Sequence, residues 1–296
     1  MNKLVLIDGN AILHRAFHAL PPLTTKRGEP INAVYGLISM LLKVIQDLKP
    51  THIAVAFDEK EPTFRHKEFA PYQAQRPAMA EELSGQFEKA KRVIEAFKIP
   101  IYSKVGFEAD DVIGTLAADA RQDVVVVTGD KDILQLVGGR VKVYLPIVGL
   151  SSAKLMGEEE VKEKLGIAPK QVADYKALVG DPSDNYPGVA GIGPKTAISL
   201  LEKYINLDGI YAHLEEISPL VRGKLVKGKD AAKLSLRLAT IVRDVTVKLD
   251  IEACGRWDID SQAVLNLFSK FGFKTLTERV KKVGKSLDDE KQMSLL

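Results

Sequence analysis

A chain of 296 residues, 46% of them hydrophobic, buries a substantial core and suits one large α/β domain with a smaller helical lobe. A formal charge of only +3 does not by itself establish a nucleic-acid partner, and a single cysteine, Cys254, excludes an internal disulfide framework and suits a reducing compartment. No apolar run approaches the roughly 18 residues of a membrane span and the first residues enter a strand directly, so neither a span nor a signal peptide is expected and the indicated location is cytoplasmic.

Leu4-Val5-Leu6-Ile7 reads as a short apolar strand ending at Asp8-Gly9-Asn10, and Ile12, Leu13, Ala16 and Phe17 follow at helical spacing. Asp8 thus stands at a strand's C-terminal end, where open α/β sheets gather ligands; capping the following helix is the plainer use of the same residue. Arg15, toward the polar side of that helix, suits a phosphate or an ordinary surface ion pair. A loop through Pro21-Pro22 and Gly28-Glu29-Pro30 leads to an amphipathic helix over 34–48, and a second strand over 53–57 again ends in acid, at Asp58. Residues 59–79 lose periodicity and carry Pro62, Pro71 and Pro77 among Arg65, His66, Lys67, Tyr72 and Arg76. They read as a mobile or partly helical excursion whose basic and aromatic groups suit a nucleic-acid strand, or as a charged surface loop. Helix resumes over 82–97.

The densest signal lies in 108–132. Glu108-Ala109-Asp110-Asp111 begins a helix with Val112, Ile113, Leu116, Ala117 and Ala120 on its core face; four valines at 124–127 form a strand buried on both faces; Thr128-Gly129-Asp130-Lys131-Asp132 follows. A strand followed by aspartate has now occurred at Asp8, Asp58 and, after a short turn, Asp130, and adjacent parallel strands bring such ends together. Singly, acids in a first helical turn suit its dipole and Asp130 suits a turn. As a set they suit magnesium or manganese, which prefer carboxylate oxygens, whereas five scattered histidines and one cysteine make a poor zinc site.

Another helix begins at Ile133, a strand spans 141–145, and helices span 158–165 and 171–178. Gly180-Asp181-Pro182-Ser183-Asp184-Asn185 adds two carboxylates, and Gly188-Val189-Ala190-Gly191-Ile192-Gly193-Pro194-Lys195-Thr196-Ala197 supplies a glycine-rich turn whose amides can approach phosphate. It lacks the Gly-Lys-Ser/Thr ending of a nucleotide-binding P-loop and does not follow a strand. Helices over 206–243 carry Arg222, Lys224, Lys227, Lys229, Lys233, Arg237 and Arg243 as a basic side, while Tyr204 and Tyr211 read as packing residues. Val264, Leu265, Leu267, Phe268 and Phe271 form a core face, and from Gly284 onward the pattern gives way to a charged tail.

Taken in order, Asp8-Gly9-Asn10, Phe57-Asp58, Phe64-Arg65, the motifs ending at Asp111 and Asp132, Gly180 to Asn185 and the 188–197 turn resemble the bacterial DNA polymerase I 5′ nuclease domain and its stand-alone flap-endonuclease relatives. The resemblance implies a PIN-like α/β fold: a central, mostly parallel sheet flanked by helices, with a helical arch and a helix-three-turn-helix lobe. It divides the chain into a nuclease core over 1–179 with the arch near 59–98, the helical lobe over 180–283, and a flexible tail over 284–296. It implies a tighter metal cluster of Asp8, Asp58, Glu108, Asp110 and Asp111 and a wider one of Asp130, Asp132, Asp181 and Asp184, holding two or more Mg2+ ions for which Mn2+ substitutes. Duplex backbone would lie on Gly188, Val189, Gly191, Gly193, Lys195 and Thr196 with a potassium ion; Arg15, Arg65, Tyr72, Gln73 and Arg76 would meet the scissile region or single strand, Arg76 also in a catalytic role. The implied activity is that of a monomeric, structure-specific DNA 5′-3′ exonuclease and flap endonuclease acting on branched or flapped DNA with a 5′ end, in replication and repair.

One position departs from the family's pattern. Where the arch usually carries Tyr-Lys-x-x-Arg, this chain has Tyr72-Gln73-Ala74-Gln75-Arg76, and glutamine donates hydrogen bonds without supplying charge. Slower cleavage follows, or, as an alternative, a non-catalytic branched-DNA binding module. An RNA-directed nuclease of the related toxin class is a third reading, opposed by the 188–197 turn and the long arch. The terminal Gln292-Met293-Ser294-Leu295-Leu296 is similar to the short motif by which bacterial polymerases and repair enzymes dock on the sliding clamp.

Overall fold

Strand β1 (Lys3–Asp8) forms the middle of a six-stranded sheet in the computed structural model, which describes residues 2–148 and 152–293. It pairs in parallel with β2 (His52–Ala56) on one side and β4 (Asp123–Val127) on the other. The short β3 (Ile101–Tyr102) lies beyond β2, β5 (Val141–Val148) beyond β4, and the antiparallel β6 (Ser152–Met156) closes that edge. The strand order β3-β2-β1-β4-β5-β6 reverses direction at β1, so the C-terminal ends of β1, β2 and β4 gather at one crevice.

The unbroken apolar runs of β1 and β4 follow from helices on both faces. Val5, Ile7, Val125 and Val127 point into one core layer and Leu4, Leu6, Val124 and Val126 into the other, as the two-residue period of a strand requires. The first layer holds α1 (Gly9–Ala19), α2 (Asn32–Leu48), α4 (Glu81–Ala96), α13 (Gln262–Phe271) and α14 (Lys274–Met293); a short helix, α3 (Phe64–Glu68), stands outside it. Of the 17 residues of α2, 12 are buried, so the amphipathic stripe expected there is a core helix covered on its outer side by α4 and α14. The second layer is built from α5 (Ala109–Asp119), the turn of 3-10 helix at Asp132–Leu136, α6 (Glu158–Leu165) and α12 (Ile251–Cys254).

A separate apolar cluster around Ile167, Leu178, Leu201 and Leu225 gathers α7 (Val172–Val179), α8 (Pro194–Tyr204), α9 (Leu207–Ala212), α10 (Pro219–Lys227) and α11 (Lys229–Ala239). The expected boundaries therefore shift. The helical lobe begins near Ile167 rather than at 180, and the chain returns to the sheet from Ile241, because Ile241, Cys254, Phe268 and Leu276 pack with the two sheet layers. The arch is confined to 59–80, since Leu83, Ala90, Val93 and Ile94 of α4 belong to the core. Nor is 284–293 a loose tail: Val280, Val283 and Leu287 keep helical spacing, and Gly284 lets α14 pass Asp260, whose carboxylate a Cβ would strike. Of the expected clamp motif, Gln292 and Met293 fall within α14, and Ser294, Leu295 and Leu296 lie outside the described residues.

Arg65 joins the lobe to the sheet. Its Nη1 and Nη2 donate to Asp111 Oδ2 and Oδ1 at 2.7 and 2.9 Å, and its Nε and Nη2 also reach the carbonyl oxygens of Leu238 and Thr240 at 2.8 and 3.1 Å. Asp111 in turn accepts from the amides of Glu108 and Val242 at 3.1 and 2.9 Å. Asp111 is 0% exposed and Arg65 2%, so neither charge is screened by water and each depends on the other. Arg65→Met strands the Asp111 charge and is expected to cost about 3–5 kcal/mol in urea unfolding, while the double replacement Arg65→Met/Asp111→Leu costs clearly less. Equal losses in the single and double variants would show that the pairing does not organise this joint.

Candidate functional site

Nine carboxylates line a cleft of about 730 Å³ at the C-terminal edge of the sheet: Glu59 and Glu61 from the arch, and seven that converge from the sheet, α5 and the lobe, Asp8, Asp58, Glu108, Asp110, Asp130, Asp132 and Asp184. Asp8 closes β1 and caps α1, accepting from the Ala11 amide at 2.9 Å, while its other oxygen accepts from Thr128 Oγ1 at 2.7 Å. Both uses weighed for Asp8 are thus compatible, because a cap needs only one oxygen. Asp58 follows β2, accepts from the Ala109 amide at 2.7 Å and has its own amide held by Asn10. Glu108 and Asp110 flank the first turn of α5; Glu108 lies 3.3 Å from Arg65 Nη1 and accepts from Tyr72 Oη at 3.3 Å. Asp130 folds back so that its Oδ1 accepts from the Asp132 amide at 2.8 Å.

Their crowding shows in their proton affinities. Burial pushes Asp8 up to about 7 against the Ala11 and Thr128 hydrogen bonds, with Asp58 and Asp130 adding repulsion. Burial likewise lifts Glu108 to about 7 although Arg65 opposes it, and Asp132 to about 7 with Asp130 repelling and Lys176 opposing. Burial and the charges of Asp130, Asp8 and Asp132 hold Asp110 well above its ordinary value, and burial raises Asp58 despite its bond from Ala109. Asp181 moves the other way: burial alone would raise it, but the Lys176 ammonium and the Ser183 donors hold it below the usual range.

Asp181 and Asp184 arrive from the loop after α7. Gly180 and Gly188, both at positive φ (77° and 62°), meet backbone to backbone there, and a Cβ on either would collide with the opposite strand of the loop. Asp132, Asp181 and Asp184 each present an oxygen within 4.8 Å of the other two, the arrangement of a divalent-metal site. Lys176, which no motif in the sequence marks out, pairs with both Asp132 and Asp181. Tyr186 Oη is buried with no hydrogen-bond partner among the described residues and feels the charges of Lys176, Asp132 and Asp181. A hydrated cation fits this donor set: all ligands are hard oxygens, their charges repel when uncompensated, and a bound water would satisfy the tyrosine.

Several expected site residues face elsewhere. Asp111, expected with the tighter metal cluster, does not line the cleft, because both its oxygens are bonded to Arg65 and to the Glu108 and Val242 amides. Arg65, expected at the DNA, is buried on Asp111 for the same reason. Tyr72 is 3% exposed and packs with Tyr186 and Leu238 while its hydroxyl bridges Glu108 and Asp184, so it offers no ring for stacking. Arg15 bonds the Ile147 carbonyl at 3.0 Å beside Gly129 and does not line the cleft. Gln73, at φ 55°, and Arg76 do line it, and both bond Asp184, at 3.2 and 2.5 Å. In the glycine turn Gly191, Gly193 and Lys195 are exposed and Thr196 half-buried, whereas Gly188 and the Val189 side chain are buried in the lobe. Lys224 Nζ donates to the Gly191 carbonyl at 2.9 Å, so an ammonium already takes one oxygen of the turn expected to hold potassium. Of the basic side, Lys227 and Lys233 are exposed, Arg222 and Arg237 pair with Glu215 and Glu68, and Arg243 bonds the Gln135 carbonyl.

Residues 3–166 match the family model described as 5′-3′ exonuclease, N-terminal resolvase-like domain, and 167–262 match the one described as 5′-3′ exonuclease, C-terminal SAM fold. The DNA polymerase I of Caldicellulosiruptor bescii is 43% identical over 283 residues, covering 94% of this chain and 33% of the polymerase; that of Bacillus subtilis is 40% identical over 282 residues, covering 94% and 32%. The chain therefore spans about a third of the length of these relatives. Among solved structures, the bacteriophage T5 flap endonuclease in complex with DNA and metal ions superposes with a TM-score of 0.67 at 17% identity, covering 95% of this chain and 98% of that one. The catalytic core of Rad2 with DNA substrate gives 0.57 at 16% identity, covering 95% and 92%. At these identities the structures bear on the fold alone. Among the described residues no helix is long and apolar enough to cross a membrane.

The raised carboxyls set a direction for pH dependence. Asp8 and Asp132 release their protons near 3.8 when unfolded and near 7 in the fold, and Glu108 near 4.5 and 7, so between those values the folded form binds more protons. Their contribution is present in acid and is lost as pH rises through about 7. Without metal, Asp110→Asn should therefore melt a few degrees above wild type at about pH 7.5 and draw level near pH 5, and saturating magnesium should remove the wild type's deficit. A gap between the two proteins that does not change with pH would contradict this.

Proposed function

Because the chain belongs to the 5′-3′ exonuclease family, we propose that it is a structure-specific DNA 5′-3′ exonuclease and flap endonuclease that hydrolyses phosphodiester bonds at its carboxylate cleft. The observation that carries this reading is the convergence of seven carboxylates from β1, β2, α5, the turn after β4 and the loop after α7 on one cleft walled by the arch. The substrate is branched or flapped DNA with a 5′ end, such as the flaps and primers removed in replication and repair.

When bound, two or more magnesium ions, for which manganese substitutes, supply an acidified water and neutralise charge on the phosphate. Asp8, Asp58, Glu108 and Asp110 would hold the tighter group and Asp130, Asp132, Asp181 and Asp184 the wider one. Thr128 and the Ala11 and Ala109 amides fix the oxygens of Asp8 and Asp58, which keeps the ligands oriented before substrate arrives. Arg76 has a half-exposed guanidinium in the cleft wall and meets the incoming phosphate; Arg65 and Tyr72 act from behind, positioning Glu108 and Asp184. The amides of 188–196 with Lys195 and a potassium ion carry the duplex backbone. Gln292 to Leu296 contact the sliding clamp, and the chain acts as a monomer in the cytoplasm. Products carry a 5′ phosphate and a 3′ hydroxyl.

A second reading, a non-catalytic branched-DNA module, rests on Gln73, whose amide is on Asp184 and brings no charge to the cleft. A 5′-labelled flap with magnesium separates the two. Wild type should release short labelled products, Asp110→Ala should lose at least about a hundredfold in rate, and Gln73→Lys should raise single-turnover cleavage more than DNA affinity. Binding without cleavage across magnesium and manganese concentrations supports the module instead, and an unchanged rate in Gln73→Lys removes the role of charge at that position.

A further inference from the structure

The two halves of the cleft are neutralised differently. Among the described residues no lysine or arginine is ion-paired with Asp8, Asp58, Asp110 or Asp130: Asp8 and Asp58 accept from backbone amides and Thr128, and Asp130 from the Asp132 amide, while Glu108 beside them lies 3.3 Å from the buried Arg65. In the other half every carboxylate already carries a protein cation. The Lys176 ammonium bridges Asp132 and Asp181, and the Arg76 guanidinium lies 2.5 Å from Asp184, where Gln73 adds a bond at 3.2 Å. These are the same three carboxylates whose oxygens lie within 4.8 Å of one another. The two cations come from different elements, Lys176 from α7 and Arg76 from the arch.

We infer that Lys176 and Arg76 are resident counter-cations of the Asp132, Asp181 and Asp184 cluster, and that a divalent ion occupies this half only by displacing them. An ammonium and a dication cannot share oxygens this close without strong repulsion in a partly buried site. Each is able to leave. Lysine is a compact charge on a flexible stem, and the Arg76 side chain is 51% exposed and can exchange one carboxylate for a phosphate, which its fork of donors fits equally well. The half whose aspartates carry no ion pair, and whose one neighbouring cation, Arg65, stays with Asp111, therefore fills first, and the second fills as a substrate phosphate draws Arg76 off Asp184. The resident pair keeps three adjacent carboxylates from repelling one another while no substrate is bound. Tyr186, buried beside this cluster with a hydroxyl that has no hydrogen-bond partner among the described residues, offers an ion's water an acceptor once Lys176 has moved.

The inference rests on the metal reading of the cleft, and its test separates the two. Mn2+ binding to the DNA-free chain, followed by the paramagnetic resonance of free Mn2+, should show a tight class and a second class at least about tenfold weaker. Lys176→Met should strengthen the weak class about tenfold or more and leave the tight class alone. Arg76→Gln should move the same class in the same direction by less, and Lys176→Arg should keep it weak. In EDTA, Lys176→Met should lower the melting temperature, and Mn2+ should restore it; a loss that reflected packing alone would not be restored. Two classes that neither substitution alters, equal sites in the wild type, or no restoration by Mn2+ would overturn the inference while leaving the metal centre in place. No Mn2+ bound at either half of the wild type would overturn the metal reading and this inference together. Should Lys176→Met fail to fold, Arg76→Gln, made on an exposed side chain, decides alone.

Discussion

A buried, two-pronged ion pair between Arg65 and Asp111 determines where the rest of the cleft can lie. Asp111 sits in the first turn of α5, whose start carries Glu108 and Asp110; Arg65 sits at the base of the arch; and the carbonyls and amide they bind belong to 238–242, where the chain leaves the lobe for the sheet. Three segments distant in sequence are thereby held at one point. Removing two charges from water costs several kcal/mol each, so such a pair adds little net stability, and its value lies in excluding other arrangements of these segments. Hydrophobic groups of the same size would pack at least as well but would not set the register of arch, helix and strap.

Around that joint the protein tolerates an electrostatic arrangement that opposes folding. Carboxylates at the ends of β1, β2 and β4 and at the start of α5 are buried together, and burial first, with their mutual repulsion second, makes several hold protons far above their ordinary range. A fold selected for stability alone would not gather them. The remedies differ by place: backbone amides and Thr128 for Asp8 and Asp58, Arg65 beside Glu108, Lys176 and Arg76 across the far side. The cleft is thus prepared for positive charge by the same repulsion that burdens it when none is bound.

Much of this was legible in the residues. Continuous apolar runs in β1 and β4 announced a sheet covered on both faces, and repeated strand-then-aspartate placed Asp8, Asp58 and Asp130 at one edge, because parallel strands share an end. What stayed hidden was which polar residues turn inward. A helical projection puts Asp111 on the polar side of α5 but cannot say whether water or a buried arginine waits there, and Arg65 and Tyr72 read as exposed arch residues although each is nearly wholly enclosed. Lys176 gave no signal, since one lysine in a helix is ordinary until Asp132 is folded against it. The lobe boundary and the extent of α14 stay hidden for a related reason: Ile167 belongs to a core formed with residues up to 65 positions later, and Val283 and Leu287 are too sparse to announce a helix until the sheet layer they cover is known.

On the proposed reading these carboxylates form a cup for divalent cations while Asp111 stays with Arg65 to hold the cup's shape. Anomalous diffraction from DNA-free crystals soaked in manganese tests it most directly. Manganese peaks should appear among Asp8, Asp58, Asp110 and Asp130, with the Arg65 and Asp111 pair intact. Dispersed carboxylates with no manganese among them, or an ion bound to Asp111 with Arg65 displaced, would contradict it.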